Sequence, residues 1–275
     1  MAVLFSGGRD STIAVDLLSR ADPQSEVHVV FCDTGCEFPW IRTHAYSVLS
    51  RVADRWDVHV VAPEPHDLFW RCVFEKGYPA PHADFRWHVR RVLVNPVRQF
   101  LERLSPDVVV MGSRLEELPD AKRVELSSRV VGGVGTGYHN PTGIPAVFPV
   151  ATFSSADCTR YLLRMGERFL ARLYSVPPDL RSAFGGAVPR SGCWLCRDAG
   201  YRAHFYLAVK YGVFPARRLW EYATWFWEES LKPENRLVDE SGVPRRLSPE
   251  FRSLARERFE SLRSDLDAQL PGVLL

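Results

Sequence analysis

The sequence predicts an α/β fold: a parallel sheet with helices on both faces, followed by a mainly helical C-terminal part. Three observations carry this. Short apolar runs recur through the first half of the chain, "AVLF" (2–5), "EVHVVFC" (26–32), "DVHVVA" (57–62) and "DVVVM" (107–111). Between the first three, apolar residues return at helical spacing: Ile13, Ala14, Leu17 and Leu18, then Trp40, Ile41, Ala45, Val48, Leu49 and Val52. Strand and helix patterns that alternate in this way argue for a parallel sheet, because each parallel crossover needs a covering helix. Beyond residue 175 the strand-like runs give way to helical, aromatic-rich sequence.

Taken in order, the first strand enters the glycine loop Ser6–Ser11 and the second ends at "DTG" (33–35). The third is closed by "PEP" (63–65) and the fourth by "GSR" (112–114). Residues 64–95, rich in aromatics, His and Pro, break the rhythm and read as an insertion over the C-terminal edge of the sheet. "GGVGTGYHNPTGIP" (132–145) reads as a loop or hairpin, because its glycines do not match G-x-G-x-x-G. "FPVATF" (148–153) is expected to be the last strand, and "SSAD" (154–157) a helix N-cap with an acidic residue three positions on. Leu247, Phe251, Leu254, Phe259 and Leu262 mark the final amphipathic helix. The expected division is a nucleotide-binding domain over 1–153 and a helical region over 154–275.

The loop carries the first chemistry. A strand running into Ser6-Gly7-Gly8-Arg9-Asp10-Ser11 and then a helix leaves backbone N–H groups unpaired at a helix N-terminus, which is an anion site. The glycines let the backbone approach phosphate oxygens, and the Ser6 and Ser11 hydroxyls add hydrogen bonds. No lysine follows in the G-x-x-x-x-G-K-[ST] pattern. On the residues alone, a tight turn with Asp10 or Ser11 capping the helix explains the loop equally well.

Composition bounds the rest. The 275 residues suit about two domains at roughly 150 residues each. A hydrophobic content of 46% and a charged content of 25% are ordinary for a globular chain. A net charge of +2 supplies little pull toward nucleic acid or membrane. Nothing reads as a signal peptide or a membrane span, so a cytoplasmic protein without a membrane partner is expected. Six cysteines in such a chain point to metal or redox use rather than a disulfide framework.

Six segments in order resemble one family. "SGGRDS" resembles the SGGxDS loop of the ATP pyrophosphatase (PP-loop, adenine nucleotide alpha hydrolase-like) superfamily, which is Rossmann-like. "FCDTGCEFPW" (31–40) resembles the DTGxxFP segment of its phosphoadenosine-phosphosulfate (PAPS) reductase-like branch. "KGYPAP…RWHVRRVLVNPVRQFL" (76–101), "GSRLEELPDAKR" (112–123), "FPVATFSSADCTRYL" and "PRSGCWLC" resemble the blocks that follow there. The resemblance implies an adenine-nucleotide site at the C-terminal edge of the sheet, near the strand-order reversal. Ser6, Gly7, Gly8, Asp10 and Ser11 would hold phosphates. Asp33, Thr34 and Gly35 would line the nucleoside side, and Gly112 and Arg114 would face the phosphate or sulfate, with Arg114 catalytic. It further implies ATP with Mg²⁺, cleavage at the α-phosphate and transfer of AMP to an acceptor in sulfur metabolism.

Departures from the pattern narrow this. His88, Val89 and Leu93 stand where the reductases carry Cys, Thr and Lys, and no cysteine follows Cys196. Outright PAPS reduction by a thiolate of the chain itself is therefore not expected. Cys193-Trp194-Leu195-Cys196 has metal-chelating spacing, and in the family this position supplies two cluster ligands. A full site would recruit His88 or Cys72, or else His82 or His204, and the metal is left open between a [4Fe–4S] cluster and Zn²⁺. Cys32 and Cys36 are not expected to share a metal, and Cys158 reads as core. The stripe Trp220, Ala223 and Trp227 reads as core or homodimer packing. Two alternatives stay open: a PAPS or APS reductase using an external thiol, and a non-catalytic nucleotide-binding subunit of a larger complex. A sulfur donor or partner protein goes with the sulfur-transfer reading.

Overall fold

The computed structural model describes residues 1–21, 23, 25–64, 71, 89–118, 120–177, 180, 182–196, 198–238 and 244–269. They divide into two compact units. The first comprises Met1–Asp33, Ile41–Val61 and Val94–Pro177; the second comprises Thr34–Trp40, Ala62–Leu93 and Pro178–Leu275.

The first unit is built on a seven-stranded sheet of order β3-β2-β1-β4-β7-β6-β5. Its strands are β1 (Ala2–Phe5), β2 (His28–Cys32), β3 (Asp57–Val61), β4 (Val109–Met111), β5 (Val130–Val131), β6 (Val134–His139) and β7 (Ile144–Phe148). β1, β2, β3, β4 and β7 are parallel, and β6 and β5 complete the edge antiparallel. The helices are α1 (Arg9–Ala21), α2 (Pro39–Val52, in this unit from Ile41), α3 (Asn95–Leu104), α4 (Asp120–Ser127), α5 (Ser155–Met165) and α6 (Arg168–Leu173).

Side-chain alternation explains why both faces are covered. Val3, Phe5, Val29 and Phe31 pack on one face with Val15 of α1 and Ala45, Val48 and Leu49 of α2. Ala2, Val30 and Cys32 point the other way, onto Val97 and Leu101 of α3. The chain moves outward from β1 through β2 to β3, then returns to the other side of β1 as β4. That reversal lies at the C-terminal ends of β1 and β4, where the Ser6–Ser11 loop and Gly112–Arg114 emerge.

The four early strands fall where the sequence predicts, within a residue or two at their ends. The Ser154 N-cap is a complete capping box with Asp157, and Gly166 ends α5 in a left-handed conformation. The glycine-rich segment is a hairpin, and here the sequence reading misplaces a strand. The last strand of this sheet is Ile144–Phe148 rather than 148–153, because Pro149 offers no N–H to continue the ladder and the chain turns (Ala151 N to Phe148 O, 3.1 Å). Gly135 and Gly137 leave room on β6 for the Phe148 ring.

The second unit is helical, with α7 (Ala199–Lys210), α8 (Ala216–Glu229), α9 (Pro249–Gln269) and a two-stranded ribbon of β8 (Arg236–Val238) and β9 (Pro244–Leu247). Its core is aromatic: Phe38, Trp40 and Phe205 form one cluster, and Trp194, Tyr222, Phe226, Phe251 and Phe259 another. Ala223 and Trp227 of the α8 stripe are buried, as a packing face requires. Among the described residues no helix is long and apolar enough to cross a membrane.

Candidate functional site

The phosphate-type loop is closed by its own serines. Ser6 and Ser11 hydroxyls meet at 3.0 Å, Ser6 N–H donates to Ser11 Oγ (3.2 Å), and Ser11 Oγ donates to the Gly8 carbonyl (3.1 Å). Ser6 is exposed at the rim, while Gly7, Gly8 and Ser11 are buried. Gly7 sits at φ +70°, and a Cβ there would fall 2.9 Å from Ala45 Cβ, so glycine is needed for conformation as well as space. Gly112 plays a packing part. A Cβ on it would lie 2.6 Å from Ser11 N, so its lack of a side chain lets the end of β4 close on the first turn of α1.

Asp10 and Arg114 form one buried network. Arg9 Nε reaches Asp10 Oδ1 at 2.8 Å, and Arg114 Nε lies 3.0 Å from Asp10 Oδ2. Arg114 also donates to Glu116 (2.5 Å), Glu117 (2.6 Å) and the Phe153 carbonyl (3.2 Å). Arg114 is fully buried and Arg9 is 1% exposed. Burial opposes charge on Arg114, but Asp10 and Glu117 outweigh it and hold the guanidinium more firmly protonated than usual. Burial likewise works to raise the Asp10 carboxyl, yet Arg9 and Arg114 hold it below its ordinary value.

Arg9 is the least satisfied member. Its Nη1 and Nη2 are buried and hydrogen-bond to nothing among the described residues, with Glu117 at 3.8 Å from Nη2. Its guanidinium lies over the Tyr174 ring (4.9 Å), and its backbone N–H donates to the Tyr174 hydroxyl (3.3 Å). The Cys158 thiol is pushed up to about 12, by burial first and by the Asp10 charge second. At the end of β2, Asp33 is buried and its Oδ2 accepts from Arg42 Nε (2.9 Å) and Tyr46 Oη (2.7 Å).

In the second unit, Thr34 binds back onto its own loop. Its N–H and hydroxyl both donate to Glu37 Oε1 (3.2 and 2.5 Å), and its Oγ1 lies 2.8 Å from Cys36 Sγ. Gly35 takes the left-handed conformation (φ 75°) that this turn requires. The loop pairs with the Cys193 turn: Glu37 bridges Cys193, Phe38 N–H donates to Gly192 O (3.1 Å), and Trp194 N–H to Cys36 O (3.0 Å). Burial first, and the neighbouring Cys193 thiol second, push the Cys36 thiol well above its ordinary value. Of the other proposed ligands, Cys72, His82 and His88 lie outside the described residues. His204 is buried among aromatics and accepts from Trp40 Nε1 (3.1 Å).

One further group, Glu26, His28 and Asp57, brings three ligand-type atoms within 4.8 Å of one another among the described residues. It lies at the opposite, N-terminal ends of β2 and β3. His28 shows Nε2 to Glu26 (3.7 Å) and Nδ1 to Asp57 (3.5 Å), so neither nitrogen faces both carboxylates. His28 Nδ1 also lies 3.2 Å from His59 Nε2, so the imidazole is already engaged at this strand edge.

Sequence reasoning did not single out Arg9, Tyr174, Glu117 or the Cys36–Cys193 contact. Arg9 occupies the variable position of the loop motif, and only an arginine in a glycine loop could have flagged it. Tyr174 is 165 residues from the loop and carries no motif.

Comparison with known proteins identifies the family. The family model described as the phosphoadenosine phosphosulfate reductase domain matches residues 1–197. Two uncharacterized proteins of Methanocaldococcus jannaschii are similar. One is 26% identical over 206 residues, covering 75% of this chain and 43% of its own. The other is 32% identical over 200 residues, covering 70% and 35%. The chain thus spans less than half the length of either relative. Among solved structures, phosphoadenylyl-sulfate reductase of Candida auris in a phosphate complex aligns with TM-score 0.42 at 17% identity, over 70% of this chain and 82% of that one. The U34-tRNA thiolase NcsA of Methanococcus maripaludis, with its [4Fe–4S] cluster, aligns with TM-score 0.44 at 12% identity, over 88% and 76%. With the domain match running through the phosphate loop, the DTG segment and the Cys193–Cys196 turn, this chain belongs to the phosphoadenosine phosphosulfate reductase domain family.

Proposed function

We propose that this chain binds an adenine nucleotide by its phosphates on the Ser6–Ser11 loop and acts on it at the α-phosphate, with AMP passing to an acceptor in sulfur transfer or sulfur metabolism. The observation that carries the reading is Arg9. A guanidinium buried at a helix N-terminus, with two nitrogens that hydrogen-bond to nothing among the described residues, suits an oxyanion, since leaving such donors unpaired is costly. The loop amides, the helix dipole and Arg9 would then share the phosphate charge, which favours cleavage by stabilising charge as it builds on the leaving pyrophosphate. Arg114 would act by fixing Asp10 and Arg9 in place. Mg²⁺ would be carried by the nucleotide's own phosphates, because Asp10, Glu116 and Glu117 are engaged by the arginines. Asp33, held by Arg42 and Tyr46, would border the nucleoside. In the second unit, Cys193 and Cys196 would hold a thiophilic metal centre, which when bound supplies a site for sulfur chemistry.

Calorimetric titration with ATP and with PAPS, alongside pyrophosphate release, tests this. ATP binding that weakens at least tenfold in a folded Gly8→Val variant is expected. ATP affinity unchanged by that substitution overturns the reading. Tight binding of PAPS with sulfite release on adding an external thiol selects the reductase, and ATP binding without pyrophosphate release selects a nucleotide-binding subunit.

A further inference from the structure

We propose that His44 is a positioning residue that makes the phosphate loop's hold on nucleotide proton-dependent. As an imidazolium it drives a chain of hydrogen bonds through the Thr12 hydroxyl and the Gly8 carbonyl to the Arg9 main-chain N–H. This rests on the reading that the Ser6–Ser11 loop holds the nucleotide's phosphates, and adds to it a control by pH. His44 lies on α2, Thr12 in the first turn of α1 and Glu167 immediately before α6, all within the first unit.

The direction of each bond follows from the protons available. Thr12 has one hydroxyl proton, and it goes to the Gly8 carbonyl at 2.8 Å. His44 Nε2 stands 3.2 Å from the same Oγ1, which can then only accept, so this bond needs a proton on Nε2. On the other side of the ring Nδ1 faces Glu167 Oε2 at 3.7 Å, and a carboxylate also only accepts. A neutral imidazole carries one proton and serves one of these neighbours. The imidazolium serves both.

The chain ends at the anion site. The Gly8 carbonyl also accepts from Ser11 Oγ (3.1 Å) and from the Thr12 N–H (3.0 Å), which fixes its direction into α1. In a planar trans peptide the Arg9 N–H then points the opposite way, out of the helix N-terminus. The His44 Nε2–H, the Thr12 hydroxyl and the Gly8–Arg9 peptide therefore run head to tail, and each polarises the next. A charged first donor makes a stronger bond than a neutral one and so sharpens the last donor, the one a phosphate meets.

The surroundings keep the proton exchangeable. The His44 side chain is 9% exposed, and burial, the largest effect, pushes its pKa below the ordinary 6.5. Glu167 favours the charged form, and Arg51, two turns on along α2, opposes it. Arg51 Nη2 holds Glu167 Oε1 at 2.6 Å and leads out to solvent. His44 is thus mainly neutral at pH 7 and charged below its folded pKa. Phosphate on the loop favours the charged form, so binding draws one proton from solvent. Affinity accordingly rises as pH falls through that pKa and is lost as pH rises through it.

Nitrogen-15 NMR of the imidazole in the full wild-type chain, with and without ATP, tests this without a substitution. ATP should raise the pH at which His44 titrates. A titration unmoved by ATP, in a protein that binds ATP, overturns the proposal and leaves the nucleotide site standing. Calorimetry gives a second test. Between about pH 7.5 and about 5.5, wild-type ATP affinity should gain about fivefold more than that of His44→Gln, which offers Thr12 a donor but takes up no proton. Thr12→Val cuts the chain while His44 still titrates, and should lose the same gain. Titration of ATP itself is common to all three proteins and cancels. Equal pH dependence in the wild type and either variant, each shown to be folded by circular dichroism at both ends of the range, overturns the chain. A wild-type protein that binds no ATP at any pH removes the nucleotide reading and this proposal with it.

Discussion

The Tyr174 hydroxyl accepts a hydrogen bond from the Arg9 main-chain N–H at 3.3 Å, joining the end of α6 to the first turn of α1. The same N–H is one of the donors a phosphate would use at this helix N-terminus. Nucleotide binding must therefore displace or share the tyrosine. Tyr174→Phe keeps the ring beneath the Arg9 guanidinium but removes the competing acceptor. It should lower stability by about 1 kcal/mol and tighten ATP affinity several-fold. Weaker ATP binding in a stable Tyr174→Phe protein would show that the hydroxyl is itself a ligand.

The arginine–carboxylate network predicts acid sensitivity with a definite sign. Burial alone would raise the Asp10 carboxyl above its ordinary 3.8, but Arg9 and Arg114 more than reverse this. Glu116, beside Arg114 and Ser155, is also lowered against the effect of its burial. A carboxyl whose folded pKa is depressed stabilises the fold in full above its unfolded value, and that contribution is lost as pH falls through the folded value. The share of thermal stability these two carboxyls supply should accordingly be level from neutrality down to about pH 5 and be lost steeply below 3.8. Asp10→Asn should be less stable at pH 7 and lose less on acidification. An equally steep acid limb in that variant would remove Asp10 as the cause.

Gly112→Ala isolates the close approach of β4 to α1. The added methyl would lie 2.6 Å from Ser11 N and 2.7 Å from the Asp10 carbonyl carbon, both main-chain atoms that cannot swing aside. A cost of about 1–3 kcal/mol is expected from overpacking, with a weaker nucleotide site because the loop amides must move. Equilibrium denaturation and ATP titration on one preparation would show the two losses together. A fall in affinity with stability untouched would instead make Gly112 a direct contact.

These sites differ in how far the sequence discloses them. The early strands are legible because strands covered on both faces are apolar at most positions and a glycine loop ends the first one. The helix after Ser154 is legible because a capping box is local chemistry. β7 is misplaced by sequence because "IPAVFPVATF" is apolar but for Thr152, and periodicity cannot choose which half pairs with β4. The partners of Asp10 are hidden for another reason: Arg114 and Cys158 lie 104 and 148 residues away, and tertiary pairing leaves no spacing to read. Cys36 and Cys193 are in the same position.

Arg9 offers the sharpest separation of function from stability. Its guanidinium is buried with two nitrogens that hydrogen-bond to nothing among the described residues, an arrangement that costs the folded chain free energy, while its Nε still supports Asp10. Arg9→Met keeps the aliphatic stem over Tyr174 and removes both the charge and the unsatisfied donors. Because the lost Asp10 contact and the relieved desolvation oppose one another, stability should change by no more than about 1 kcal/mol. Nucleotide affinity should fall roughly tenfold to a hundredfold, the loss of about 1.5–3 kcal/mol expected for a hydrogen bond to a charged group. The deficit should shrink as salt is raised, since the wild-type protein loses more of its attraction to phosphate than the variant does. A variant that binds ATP as the wild type does would show that Arg9 serves Asp10 alone, and the loop would then hold its anion through main-chain amides without a cation.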